Sequence, residues 1–134
     1  MKVILDTNVI IAAFSSHGLC SLVFELSLSK YEIIIISNHI LNELKKNFNK
    51  KIKLPPDKIL EIIDYLKSTC ILCDYQKLKQ AVCRDKDDDE ILALGKSNDA
   101  KYIITGDKDL LTLKKYEKFK IITPREFWAL SKEE

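Results

Sequence analysis

"YEIIIISNHILNEL", residues 31–44, changes its apolar period halfway through. The isoleucines after Tyr31 and Glu32 form a β-branched run without polar alternation, the pattern of a strand buried on both faces. From Ser37 onward the apolar residues fall instead at Ile40, Leu44 and Phe48, which line one side of a helix. Ser37 stands at the junction, where its hydroxyl oxygen can accept from an N–H of the first helical turn. A buried strand feeding a capped helix implies a sheet with helices packed over it.

The rest of the chain repeats that alternation. "KVIL" (2–5) is a short apolar run ending at Asp6, and Leu19, Leu22, Val23 and Leu26 then share one helical face. "LPPDK" (54–58) breaks the chain before a second amphipathic stretch carrying Ile59, Ile62, Ile63 and Leu66. "CILC" (70–73), "KYIIT" (101–105) and "KIIT" (120–123) read as further strands. An acidic segment between the first two opens the helix of Ile91 and Leu94, and Pro124 suits the start of a last helix. The expected fold is α/β, with a mostly parallel central sheet of about four to five strands covered on both faces. Neither repeats nor low-complexity linkers interrupt it, so residues 1–134 are expected to form a single domain.

Composition narrows the function classes only mildly. The chain has 134 residues, 46% hydrophobic and 31% charged, enough to bury a sizeable core. Asp6 interrupts the N-terminal apolar run before a signal peptide could form, and no apolar run approaches bilayer length. No membrane association and a cytoplasmic location are the expectation. A net charge of +2 does not mark a nucleic-acid binder, but its distribution is uneven. "KKNFNKKIK" (45–53) and "KKYEKFK" (114–120) interleave lysines with an aromatic residue, which suits a phosphate backbone; solvated helix faces are the plainer explanation. Lys45, Lys46, Lys50 and Lys51 are the candidate phosphate-backbone contacts. With only Arg84 and Arg125, base readout through paired arginine contacts is not expected. Cys70 and Cys73 lack a second CxxC pair or suitably spaced histidines, so the four cysteines read as small buried hydrophobes.

The carboxylates are more informative. In parallel sheets, ligands bind beyond the carboxyl ends of the strands. Asp6 follows the first strand, Asp107 and Asp109 follow the strand at 101–105, and the acidic stretch "RDKDDDE" (84–90) opens a helix on the same edge. Glu43 lies about one and a half turns into its helix, with a Cβ tilted back toward that edge. Singly, each is an ordinary turn or surface acid. Four acids from four segments on one edge would repel unless a cation neutralised them, and an all-carboxylate set selects Mg2+ or Mn2+. Two other motifs fail on spacing. An EF-hand loop starting at Asp85 would need glycine where Glu90 stands and an acid where Lys96 stands, and a phosphate-binding loop ending in "GKS" (95–97) would also need glycine at Glu90. His39 and Glu43, four apart on one helix, could share a metal, but the sequence offers no third ligand of the zincin pattern.

Taken in order, "ILDTNVII" (4–11), "ISNHILNEL" (36–44), "DDDEILALG" (87–95) and "YIITGDKDLL" (102–111) resemble the PIN-domain family, in particular its small stand-alone VapC-like toxins. The resemblance runs from Met1 to about Pro124. It implies a PIN-like α/β/α sandwich and a Mg2+- or Mn2+-dependent ribonuclease that leaves 5′-phosphate ends. On that resemblance Asp6, Glu43, Asp89 and Asp107 are the catalytic metal ligands, with Asp88 and Asp109 as additional candidates. Asn8, Thr105 and Ser37 are supporting groups. Relatives often carry proline where Lys86 stands, which leaves Asp88 able to exchange roles with Asp89. Asp85 and Asp87 read as turn and capping residues, and Glu90 as solvent-facing. The resemblance also implies a small antitoxin partner and a homodimer. Two alternatives stay open: a haloacid-dehalogenase-like phosphatase, although Asn8 stands where that mechanism needs an acid, and a non-catalytic RNA- or protein-binding module.

Overall fold

The computed structural model describes residues 1–29 and 33–132. Strands β1 (Lys2–Leu5), β2 (Ile33–Ile36), β3 (Ile71–Leu72), β4 (Tyr102–Ile104), β5 (Lys115–Tyr116) and β6 (Phe119–Ile122) form one sheet in the order β3-β2-β1-β4-β6-β5. All neighbours pair in parallel except β5 with β6. Helices α1 (Thr7–Ser15), α2 (Leu19–Ser29), α3 (Asn38–Lys50), α4 (Pro56–Thr69), α5 (Lys86–Ser97), α6 (Lys108–Leu113) and α7 (Pro124–Lys132) connect and cover it.

The sheet has six strands among the described residues, not four to five. The additional one, β5, is a two-residue strand of the basic "KKYEKFK" stretch, held to β6 by a tight turn with Glu117 at φ 52°. Two residues carry no period, so nothing in the sequence marks it. Tyr31 and Glu32 of the expected strand lie outside the described residues. The "CILC" strand contracts to Ile71 and Leu72, both exposed at the sheet edge, because Cys70 instead ends α4. Within α2, Val23 and Phe24 turn inward, whereas Leu22 of the expected apolar face points out.

Successive residues Val3, Ile4 and Leu5 of β1 are all fully buried. Because side chains alternate across a strand, both faces of the sheet must be covered. Helix α3 supplies Ile40, Leu44 and Phe48 to one layer, as the spacing from Ser37 predicts, and Leu41 besides; Ser37 Oγ accepts from Ile40 N at 3.2 Å. On α5, Gly95 is buried against β6: a Cβ there would lie 3.0 Å from the Phe119 ring. Close helix–sheet approach, not phosphate binding, accounts for the glycine of "GKS". No single described helix is long and apolar enough to cross a membrane.

The strand order fixes where ligands can bind. From β1 the chain moves outward to β2 and β3, then returns to place β4 on the other side of β1. The connections leaving β1 and β4 therefore diverge, and a crevice opens between them at their carboxyl ends.

Candidate metal centre

Register brings the first two acids to that crevice. Leu5 pairs with Ile104, and Asp6 N donates to Ile104 O at 2.9 Å, so Asp6 and Thr105 emerge side by side. The Thr105 hydroxyl donates to Asp6 Oδ2 at 2.7 Å and accepts from Asp107 N at 3.0 Å. Thr7 N donates to the other Asp6 oxygen at 2.8 Å. Asp6 is thus oriented through both oxygens while capping α1. Asp107 caps α6, its Oδ1 accepting from Asp109 N at 2.8 Å.

Glu43 reaches the same cleft from α3 and accepts from the Thr7 hydroxyl at 2.9 Å. Thr7 is a site residue that sequence reading missed. Its position beside Asp6 was the available signal, since a threonine at the first helical position can turn its hydroxyl along the strand edge.

The acidic stretch divides differently from the expectation. Asp88 is buried, at 7% exposure, and lines the cleft with Asp6 and Asp107. Asp89 does not face the cleft. It accepts from Val82 N at 3.1 Å and Cys83 N at 2.8 Å, tying down the loop that precedes α5. The structure therefore brings Asp88, rather than the expected Asp89, into the cleft, while Asp89 ties down the loop beside it. Asp85 is the α5 N-cap, as expected, its side chain accepting from Asp87 N at 2.9 Å. Glu90 is not solvent-facing; it accepts a hydrogen bond from the Tyr75 hydroxyl and is largely covered.

The cleft has a volume of about 450 Å³. Burial is the main force raising the carboxyl pKa values of Asp6, Glu43 and Asp88 above their ordinary range. For Asp6, the Thr105 and Thr7 hydrogen bonds oppose that rise, and for Glu43 the Thr7 hydroxyl does. Asp88 has no such relief: burial, then the negative charges of Asp107, Asp6, Asp85 and Asp109, push it to about 7. Its Oδ2 is shut off from solvent and has no hydrogen-bond partner.

A buried, unpartnered carboxylate oxygen surrounded by other carboxylates is what a hard cation would satisfy. Ligand atoms of Asp88, Asp107 and Asp109 lie within 4.8 Å of one another, close enough for one ion. The donor set therefore fits Mg2+ or Mn2+. Asp109 is also held by Arg84, whose Nη2 donates to both its oxygens at 2.9 and 3.0 Å.

Of the remaining expected residues, Asn8 is exposed on the cleft wall and Ser37 only caps α3, outside the lining. Lys46 and Lys51 line the cleft mouth; Lys45 and Lys50 are exposed but stand outside it. His39, weighed in the sequence only as a possible partner of Glu43, and Asp87, read there as a turn residue, complete the wall beside Glu43.

This fold and this acidic cleft define a PIN domain. The family model for the PIN domain matches residues 2–109, and the chain belongs to that family, whose VapC-type members are nucleases and whose nucleases generally use divalent metals. Membership sets aside the phosphatase alternative. Among known proteins, the uncharacterized protein MJ1680 of Methanocaldococcus jannaschii is 30% identical over 140 residues, covering 95% of this chain and 89% of the relative. A solved structure, VapBC2 from Rickettsia felis bound to a DNA fragment from their promoter, superposes with a TM-score of 0.68 at 20% identity. That match spans 92% of this chain and 98% of the other, and the likeness is one of fold.

Proposed function

We propose that the chain is a divalent-metal-dependent endoribonuclease acting in the cytoplasm, and that Asp6, Asp88, Asp107 and Glu43 hold its Mg2+ or Mn2+. The observation that carries this reading is the buried Asp88 Oδ2, unpartnered and facing like charges. A bound ion would lower the pKa of a coordinated water and offset charge on the attacked phosphate. The chain's own residues set the stage. Thr105 and Thr7 fix both Asp6 oxygens, the Thr7 hydroxyl ties Glu43 to the same strand end, and Asp89 anchors the loop leading to Asp88. Lys46 and Lys51 offer positive charge to an RNA backbone at the cleft mouth. Asp109, whose oxygens lie near those of Asp88 and Asp107 and also accept from Arg84, is an additional ligand of the same ion.

The structural neighbour is a VapBC structure, which supports reading this chain as the toxin of a toxin–antitoxin pair with a small antitoxin partner; the family resemblance adds a homodimeric assembly to the proposal. The test is incubation of purified protein with 5′-labelled RNA in Mg2+ or Mn2+. Cleavage leaving 5′-phosphate ends, lost in EDTA and in Asp6→Asn and Asp88→Asn, is the expected result. Undiminished cleavage in EDTA or in Asp88→Asn overturns it.

A further inference from the structure

His39, Glu43 and Asp87 form a second constellation lining the same cleft. His39 and Glu43 stand one turn apart on α3, and Asp87 comes from the first turn of α5. His39 Nε2 lies 3.0 Å from Asp87 Oδ1 and 3.6 Å from Glu43 Oε1. That nitrogen is screened from water, although the side chain as a whole is 29% exposed, and it makes no hydrogen bond of acceptable geometry. Two carboxylate oxygens thus crowd a desolvated imidazole nitrogen without satisfying it.

We propose that His39, Glu43 and Asp87 are a metal site of their own, selective for a first-row ion such as Mn2+ or Zn2+ over Mg2+. Ligand atoms bonded to one ion at about 2.0–2.2 Å sit roughly 3–3.5 Å apart for right-angle or tetrahedral arrangements. The observed separations of 3.0 and 3.6 Å bracket that range, and all three ligand atoms fall within 4.8 Å of one another. The imidazole gives the site its selectivity. Nitrogen ligation suits Mn2+, Zn2+ and their neighbours, whereas the all-oxygen set of Asp6, Asp88 and Asp107 suits Mg2+. Asp87, exposed on its outer side, leaves room for water to complete the coordination. The i, i+4 histidine–glutamate pair is visible in the sequence, but its third ligand comes from a segment more than forty residues away. Chain spacing could not announce it. The inference rests on the nuclease reading only for the companion oxygen site, with which it shares Glu43.

The test is Mn2+ binding to the full chain, read by electron paramagnetic resonance with nitrogen-coupling detection and by calorimetric stoichiometry. The wild-type protein is expected to show imidazole nitrogen coupled to bound Mn2+. His39→Gln should abolish the coupling and weaken this binding step by at least about tenfold, the lower bound seen even when outer partners of a ligand are removed. Asp87→Asn should weaken the same step, whereas His17→Gln, distant on the surface, should leave it unchanged. Asp88→Asn should remove the other step and keep the nitrogen coupling. Bound Mn2+ without nitrogen coupling, or an unaltered step in His39→Gln, overturns the site, as does a protein that binds no Mn2+. RNA cleavage is scored separately, so a failure to cleave bears on the nuclease reading and not on this one.

Discussion

Asp88→Asn and Asp89→Asn, adjacent and chemically identical substitutions, should move stability in opposite directions. At pH 8 without metal, Asp88 is a buried carboxylate held against four others, with its pKa raised from 3.8 to about 7. One unit corresponds to about 1.4 kcal/mol, so relieving the whole rise is capped near ~4 kcal/mol. Solvent entering the open cleft screens those repulsions, which brings the expected gain for Asp88→Asn to about 1–2 kcal/mol. Asp89 is the reverse case. Its carboxylate accepts from Val82 N and Cys83 N, and amide bonds to a charged acceptor contribute roughly 1.5–3 kcal/mol each before exposure is discounted. Asparagine keeps one acceptor oxygen, so Asp89→Asn should cost about 1–2 kcal/mol. For a chain of this size each kcal/mol shifts Tm by about 3–5 °C. Thermal melts by circular dichroism in EDTA should therefore show Asp88→Asn above wild type and Asp89→Asn below it. Saturating Mg2+ should raise wild type and Asp89→Asn but not Asp88→Asn, since an ion at 100 times its Kd adds about 2.7 kcal/mol. If Asp88→Asn melts lower than wild type in EDTA, or gains as much from Mg2+, the placement of the metal on Asp88 is wrong.

Removing the Thr105 hydroxyl in Thr105→Val strips a donor from Asp6 and an acceptor from Asp107 N in a fully buried position, which should cost about 1–3 kcal/mol and slow cleavage; an unchanged denaturant midpoint and rate would refute its positioning role. Metal-free stability should fall as pH rises from about 4 to about 7. The native state keeps a proton on Asp88 that the unfolded chain has already released, and burial of Asp6 and Glu43 acts in the same direction. In EDTA the Tm should be higher at pH 5 than at pH 8, and Mg2+ at pH 8 should erase the difference; a climb in EDTA contradicts the cluster. Lys46→Ala and Lys51→Ala should each weaken RNA binding and shallow the log K against log salt slope by about 0.7, the value for one phosphate contact on a single strand, whereas Lys45→Ala should leave that slope intact.

The large elements were legible because they carry a period. The change from "IIII" to Ile40, Leu44 and Phe48 located β2 and α3, and those three side chains are all fully buried. The resemblance in four blocks supplied the family. What failed had no period to read: β5 has two residues, and α1 is apolar on every side from Val9 to Phe14. The site was legible as a set of acids but not as a set of contacts. Asp6 and Asp107 flank the cleft because their strands are neighbours, an adjacency that chain order alone does not state. Thr7 and Asp87 meet the cleft from across elements, and His39, although paired with Glu43 on its own helix, lacked a visible third partner, so no local pattern could weigh the set.

The exchange of Asp88 for Asp89 has a specific cause. In an amphipathic helix the inward residue of the first turn would be found by stepping three and four positions back from the buried stripe. Stepping back from Ile91 and Leu92 gives Asp88, and stepping back from Leu92 and Ala93 gives Asp89. Both answers are consistent because Ile91, Leu92, Ala93, Leu94 and Gly95 are all buried, so α5 has no outward face through its middle to break the tie. A helix sheathed on every side can direct a carboxylate inward from several positions, and only its surroundings choose. Here the loop of Val82 and Cys83 lies against one side of the first turn and claims Asp89 with its free N–H groups. Asp88, one residue and about 100° earlier, is left facing Asp6 and Asp107. The loop residues that leave Asp88 facing the cleft are themselves neither acidic nor in the cleft, which makes the Val82–Cys83 backbone as much a determinant of the cleft as the aspartates.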